Sequence, residues 1–209
     1  MTVIRTSRLA SGPAGAVVHT TDSPALGRLE FTVLDPVAEL DLLHDWVSRP
    51  ASRFWGLSEL PREELRDLYL FVDGLPSHHA FLVRRDGLPI VLLQTYEPEN
   101  DPLGEVYDAL PGDAGLHFLL GDRGAPVARF TSLVADAMAE FLFAGPDVDR
   151  LVIEPDVRNE RAVARAVKSG FELGPRVDLP TKTGQLAFLT RERWERKRAG
   201  SQTFETLDR

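Results

Sequence analysis

Residues 151–171 read Leu151-Val152-Ile153-Glu154-Pro155-Asp156-Val157-Arg158-Asn159-Glu160-Arg161-Ala162-Val163-Ala164-Arg165-Ala166-Val167-Lys168-Ser169-Gly170-Phe171. Leu151–Ile153 is a short apolar run of the kind buried in a sheet, and Pro155-Asp156 turns the chain. Asn159 is placed to cap a helix, its side-chain oxygen accepting from an orphan amide of the first turn. Gly170 fits the left-handed position just past the helix end. Between these caps Ala162, Val163, Ala166 and Val167 form one apolar face with small residues, so the helix can lie close on a sheet. Arg158, Arg161, Arg165 and Lys168 recur at spacings of three, four and three on the opposite face. Arg158 and Arg161, at the helix start, are best placed to reach an anion. A solvated basic face is the plainer reading of the other two. The stretch is therefore strand, turn, capped helix, strand.

The same punctuation organises the flanks. Residues 1–27 carry Gly12, Pro13, Gly15, Pro24 and Gly27 and read as an N-terminal arm, with one short extended piece at Ala16–His19. Leu29–Leu34 alternates as a strand. Pro36 opens a helix that runs to Pro50, and Pro61 opens a second with Leu65, Leu68, Tyr69 and Val72 as its stripe. His79–Arg85 and Leu88–Tyr96 pair about the Asp86-Gly87 turn. Residues 97–113 form a long loop. Gly115–Leu120 is an apolar strand, Thr131–Phe143 a helix, and Phe171–Leu179 and Leu186–Thr190 the closing strands. Residues 28–195 make one domain, and the charged tail 196–209 is expected to fray. Strands and helices mix in one α/β (α+β) domain with helices on both faces of a sheet.

Composition narrows the function. The 209 residues are 43% hydrophobic, enough for a core, and the formal net charge of -8 speaks against nucleic acid as partner. No apolar run has the length of a membrane span. There is no cysteine, so a catalytic thiol and a thiolate metal site are both excluded. His19, His44, His78, His79 and His117 lack zinc-site spacing. The expectation is a cytoplasmic protein without metal, monomer or homodimer.

Several motifs carry a resemblance. Asn159-x-x-Ala162, a short helix and Gly170-Phe171 after a strand and a Pro-Asp turn resemble the coenzyme A motif of the GNAT acyltransferases. The order of His44-x-Trp46, Phe54-Trp55, His78-His79-Ala80-Phe81, Gln94-Thr95-Tyr96-Glu97-Pro98, Glu105-x-Tyr107, Asp113-x-Gly115-x-His117 and Gln185-Leu186-Ala187-Phe188 is similar to the siderophore-biosynthesis branch. That branch holds aerobactin-type hydroxylysine acetyltransferases, the mycobactin lysine acyltransferase and desferrioxamine N-hydroxycadaverine acyltransferases. The similarity covers roughly residues 29–194.

The resemblance implies a GNAT fold: a mixed sheet of about seven strands with a splayed central pair. Free amides of Phe118, Leu119 and Leu120 would hold a thioester carbonyl, as an oxyanion site does. The helix start at Arg129, Phe130 and Thr131 would receive the pyrophosphate, with Arg158, Asn159 and Arg161 beside it. The family pattern of Arg or Gln, two residues, Gly, one residue, Gly or Ala is broken here, with Phe130 where a small residue is usual. The relatives imply catalysis by His117 and Glu154. A histidine suits removal of the proton from an attacking nitrogen, and a carboxylate can orient it. Trp55, His78, His79, Gln94, Tyr96, Glu105 and Tyr107 would line the substrate site, with Glu97 and Glu105 attracting a distal ammonium. Packing is the plainer role for the aromatics.

The implied co-substrate is acetyl-CoA or succinyl-CoA, and the implied partner is a small amine or hydroxylamine. Three functions remain open. One is acylation of an N-hydroxylated diamine or amino acid to a hydroxamate. The second is acetylation of an unmodified lysine or an aminoglycoside. The third is a non-catalytic acyl-CoA-binding module.

Overall fold

The computed structural model describes residues 7–207, with side chains described to residue 200. Eight strands form one sheet: β1 (Val17–Ser23), β2 (Gly27–Val33), β3 (His78–Arg85), β4 (Leu88–Tyr96), β5 (Asp113–Leu120), β6 (Arg150–Ile153), β7 (Glu172–Leu179) and β8 (Lys182–Thr190). Their order is β1-β2-β3-β4-β5-β6-β8-β7. The neighbours are antiparallel except β5 and β6, which run parallel. The helices are α1 (Leu40–Ser48), α2 (Arg62–Asp73), α3 (Phe130–Phe143), α4 (Glu160–Ser169) and α5 (Arg191–Leu207).

The count of eight rather than about seven comes from the segment expected as an arm. Val17–Ser23 pairs along β2 as an edge strand, and Leu9 is buried in the main core. Arg8 reaches across to the 97–113 loop, where its guanidinium takes both oxygens of Glu99 at 2.8 and 2.6 Å and its Nε donates to the Asp113 carbonyl at 2.7 Å. The tail also differs from expectation. It is helical to Leu207, because Trp194 is buried and Arg191 donates to the carbonyls of Phe143, Gly145 and Val148 that end the α3 segment. Helix α1 starts at Leu40, four residues after Pro36, because Asp35 Oδ1 accepts from the amides of Val37 and Ala38 and holds that stretch as turns.

Successive residues of a strand face opposite sides of the sheet. One side carries Phe31, Phe81, Leu93, Leu116 and Leu151 and is covered by Phe130, Val134, Met138 and Phe141 of α3 and Ala166 of α4. The other carries Leu82, Leu92 and Leu119 under Leu43 and Trp46 of α1 and Leu65 and Tyr69 of α2. Helix α4 has the expected caps. Asn159 Oδ1 accepts from the Ala162 amide at 3.2 Å, and Gly170 is left-handed with φ 103°.

The parallel pair parts halfway. β6 meets β5 only at Asp113, Ala114 and Gly115, opposite Arg150, Leu151 and Val152, so Leu116–Leu120 has no strand on that side. The Gly121 amide donates to the Ile90 carbonyl of β4 at 2.9 Å. Hydrogen-bonded and non-bonded pairs alternate along an antiparallel ladder. The amides of Leu119 and His117 therefore point to β4, and those of Leu116, Phe118 and Leu120 point into the gap.

Candidate active site

The gap opens beside a cluster of polar side chains on the α1–α2 side of the sheet. His117, on the unpaired half of β5, is bonded through Nε2 to Oε1 of Glu154, the residue that follows β6. Glu154 is only 3% exposed. Lys182 Nζ donates to the same Oε1 at 3.0 Å, and the Tyr96 hydroxyl donates to Oε2 at 2.8 Å. Burial alone would push the Glu154 carboxyl upward. The charge and hydrogen bond of His117, the Lys182 ammonium and the Tyr96 hydroxyl outweigh it and hold the group at about 2. An ionised carboxylate can only accept, so the His117 proton facing it lies on Nε2. In the neutral imidazole Nδ1 is then the basic nitrogen.

Tyr96 is buried, and burial followed by the Glu154 charge raises its hydroxyl well above the usual phenol range. It therefore acts as a neutral donor. Its ring lies across Gly115, where a Cβ would stand 2.3 Å from the ring carbons. Only glycine at 115 lets the tyrosine reach Glu154. The ring also stacks on His78 at 5.8 Å and lies 5.1 Å from His117. The Trp55 ring, from the 3-10 turn Pro50–Trp55, is edge-on to His117 at 6.4 Å. Gln94 is opposite His117 in the β4–β5 register. Trp55, His78, Gln94 and Tyr96 thus gather around His117 and Glu154.

Other candidates fall elsewhere. His79 faces the α3 side against Phe81, away from this cluster, as strand alternation requires. The Tyr107 hydroxyl donates to Asp113 at 2.9 Å, and its ring packs near Phe188, so it braces the loop. Glu105 is exposed at the end of the 3-10 turn Pro102–Glu105. Glu97 is engaged by Ser7 and Arg8 and is no longer free to attract an ammonium.

At the other end of the gap, α3 begins at Phe130. The glycine pattern is absent there, yet Arg129 takes the left-handed turn at φ 58°, which costs a non-glycine residue ~1 kcal/mol or more. The Phe130 side chain is buried in the core, and its amide is turned to the Val127 carbonyl at 3.3 Å. It is a packing residue rather than a lining one. Thr131 follows in the first turn, where amides lack intrahelical partners. Leu119 likewise directs its amide to β4, leaving Phe118 and Leu120 as the donors to the gap. Arg158 is bound to Asp156 through both guanidinium and backbone, with Nη2–Oδ2 at 2.5 Å. Its charge is already matched. Arg161 is exposed at the start of α4.

Two residues outside the expected set belong here. Lys182 lies outside a last strand that begins at Leu186, whereas β8 starts at 182. Period-two alternation carried back from Phe188 and Leu186 through Gly184 puts Lys182 on their face. The plainer expectation for Arg165 is a solvated helix face. The residue is half-buried with Arg123 beside it, and burial followed by that second guanidinium pulls it below the ordinary arginine range. Among the described residues it has no carboxylate partner. Arg123 lies 5.9 Å from the Phe130 ring at the start of α3, and a second guanidinium within its electrostatic reach near a helix N-terminus suits a phosphate.

Residues 35–179 match the family model described as an acetyltransferase (GNAT) domain, and the chain belongs to that family. It is 27% identical over 183 residues to the N(6)-hydroxylysine O-acetyltransferase of Escherichia coli, covering 86% of this chain and 57% of the relative. It is 28% identical over 160 residues to the N-hydroxyputrescine acetyltransferase of Acinetobacter baumannii, covering 75% and 74%. Among solved structures, an uncharacterized protein from Bacillus halodurans shares the fold with a TM-score of 0.79 at 22% identity, covering 88% of this chain and 95% of that one.

Proposed function

We propose that the protein transfers an acyl group from acetyl-CoA or succinyl-CoA to the nitrogen of an N-hydroxylated diamine or amino acid. The acceptor is of N-hydroxycadaverine, hydroxylysine or hydroxyornithine type, and the product is a hydroxamate for siderophore biosynthesis in the cytoplasm. The observation that carries the reading is the His117–Glu154 pair spanning the mouth of the β5–β6 gap, beside the free amides of Phe118 and Leu120. Family membership and the names of the two relatives support it.

The transfer is direct within a ternary complex, since no cysteine can carry the acyl group. The nitrogen lone pair attacks the thioester carbonyl, and the amides of Phe118 and Leu120 stabilise the oxygen that becomes negative. The C–N bond forms, the C–S bond breaks with its electron pair leaving on the CoA thiolate, and Nδ1 of His117 takes the nitrogen's proton. The hydroxamate presents two hard oxygens suited to ferric iron. Arg165, Arg123 and the first turn of α3 hold the phosphates, with Arg129, Thr131, Asn159 and Arg161 around them. Arg165→Ala is expected to weaken acyl-CoA binding about tenfold, the effect of one charge-assisted contact. The loss should shrink in high salt. Isothermal titration at two ionic strengths measures it, and unchanged affinity would take Arg165 out of the site.

The function is tested by thiol release with acetyl-CoA and succinyl-CoA against N-hydroxycadaverine, hydroxylysine, hydroxyornithine and their unhydroxylated parents. Strong preference for one N-hydroxy amine is the expected result. Activity on the parent amines alone points to a lysine or aminoglycoside acetyltransferase. Acyl-CoA binding without thiol release points to a binding module.

A further inference from the structure

Lys182 brings a positive charge to within 3.0 Å of the carboxylate that orients His117, and its side chain is 22% exposed beside it. The acyl-transfer steps assign it no role. Both oxygens of Glu154 are partnered beneath it, one by His117 and Lys182 and the other by Tyr96. Asp156, the next carboxylate within electrostatic reach of Lys182, is held by both nitrogens of the Arg158 fork. His117 from β5 and Tyr96 from β4 also face the pair, with Asp101 and Tyr107 within electrostatic reach of Tyr96. The Glu154 charge is thus fully matched, and Lys182 shares its Oε1 with His117.

We propose that Lys182 is a specificity-determining residue: by pairing with Glu154 it removes the negative charge that would hold a substrate ammonium beside His117, and so favours nitrogen nucleophiles uncharged at neutral pH, the N-hydroxy amines. The inference rests on the acyl-transfer reading and narrows its substrate class. An alkylamine at neutral pH is an ammonium, and beside His117 it meets no free carboxylate, because the one there is already paired by Lys182. A hydroxylamine nitrogen is far less basic and arrives uncharged. The distal ammonium of an N-hydroxy diamine finds its carboxylates elsewhere. Asp101 lies beside His78 at 3.5 Å, and exposed Glu105 lies further along the same loop. The two ends of such a substrate are told apart by charge.

The test compares wild type, Lys182→Met and Lys182→Arg. Methionine keeps the apolar stem and removes the charge, and arginine keeps the charge. The readout is the ratio of kcat/KM for an N-hydroxy diamine to that for its parent diamine, from neutral to alkaline pH with acetyl-CoA. Wild type should favour the N-hydroxy diamine, with the gap narrowing as the parent loses its proton at high pH. Lys182→Met should lower the neutral-pH ratio about tenfold, mainly through a lower KM for the parent, and Lys182→Arg should retain it. A structural role alone would depress both substrates together and leave the ratio unmoved.

An unchanged ratio in Lys182→Met, with wild type still selective, overturns Lys182 and leaves the proposed function standing. A wild type that prefers the parent amine overturns both. If no amine turns over, calorimetric titration of the parent diamine into CoA-loaded enzyme decides: tighter binding to Lys182→Met supports this role of Lys182, and equal affinity overturns it.

Discussion

His117→Ala is expected to lower kcat by ~10²- to 10⁴-fold, the usual contribution of a positioned general base, and to leave acyl-CoA affinity unchanged. The two effects separate because His117 faces the α1–α2 side of the sheet, whereas the amides facing the gap come from Phe118 and Leu120. Glu154 keeps Lys182 and Tyr96 as partners in the variant, so its buried charge is not abandoned and the fold should survive. Glu154→Gln should fall in the same direction by a different route. The amide can accept from Nε2 but carries no charge to stabilise the imidazolium formed when Nδ1 takes the proton. Because the wild-type carboxyl is held at about 2, it stays ionised far below neutrality, and loss of activity toward mild acid does not come from Glu154 itself. Steady-state kinetics beside a CoA titration measures both variants. Full turnover by His117→Ala would remove the base from the mechanism.

What the sequence makes legible follows from local physics. The caps of α4, Asn159 and Gly170, act within one turn of the chain, and both are found as read. Period-two alternation locates β2, the Asp86-Gly87 turn locates β3 and β4, and an apolar run locates β5, each a signal carried within a few residues. β1 is legible only as the short extended piece at Ala16–His19, and its run to Ser23 is not. Its edge position leaves Val17 exposed, and Thr20–Ser23 carries no apolar residue, so the rest of the strand depends on β2 lying beside it. The extent of α5 escapes for the same reason, since Arg191 finds its carbonyls more than forty residues away. His79 illustrates the converse. Two adjacent histidines look equally available in a linear motif, and the pleat sends one of them to the wrong side. Arg165 and Arg123 lie on separate elements, so their mutual proximity has no local signal.

Asp113→Ala carries the largest expected stability loss, about 3–5 kcal/mol, out of a total of order 10 kcal/mol for a domain of this kind. Asp113 is fully buried at the start of β5. Its Oδ1 accepts from Arg150 Nε at 2.7 Å, and its Oδ2 accepts from Arg150 Nη2 at 2.7 Å, the Tyr107 hydroxyl at 2.9 Å and the Leu110 amide at 3.0 Å. Alanine would leave a guanidinium, a hydroxyl and an amide without their acceptor. The double variant Asp113→Ala/Arg150→Met should recover part of the loss, because it removes the stranded cation as well. Urea unfolding measures all three proteins. A loss for Asp113→Ala below about 1 kcal/mol, the range of an exposed ion pair, would refute the clamp.

The position of the clamp gives that loss a functional side. Asp113 and Arg150 are directly opposite in the parallel register, at the end where β5 and β6 are still joined. His117 and Glu154 lie four residues further along each strand, on the same face and in the same register, where the backbones have parted. The first pair fixes the strands, and the second spans the gap that this fixing leaves open. A variant that loosens the first pair should therefore widen the second, and kcat in Asp113→Asn should fall at temperatures where the protein is still folded.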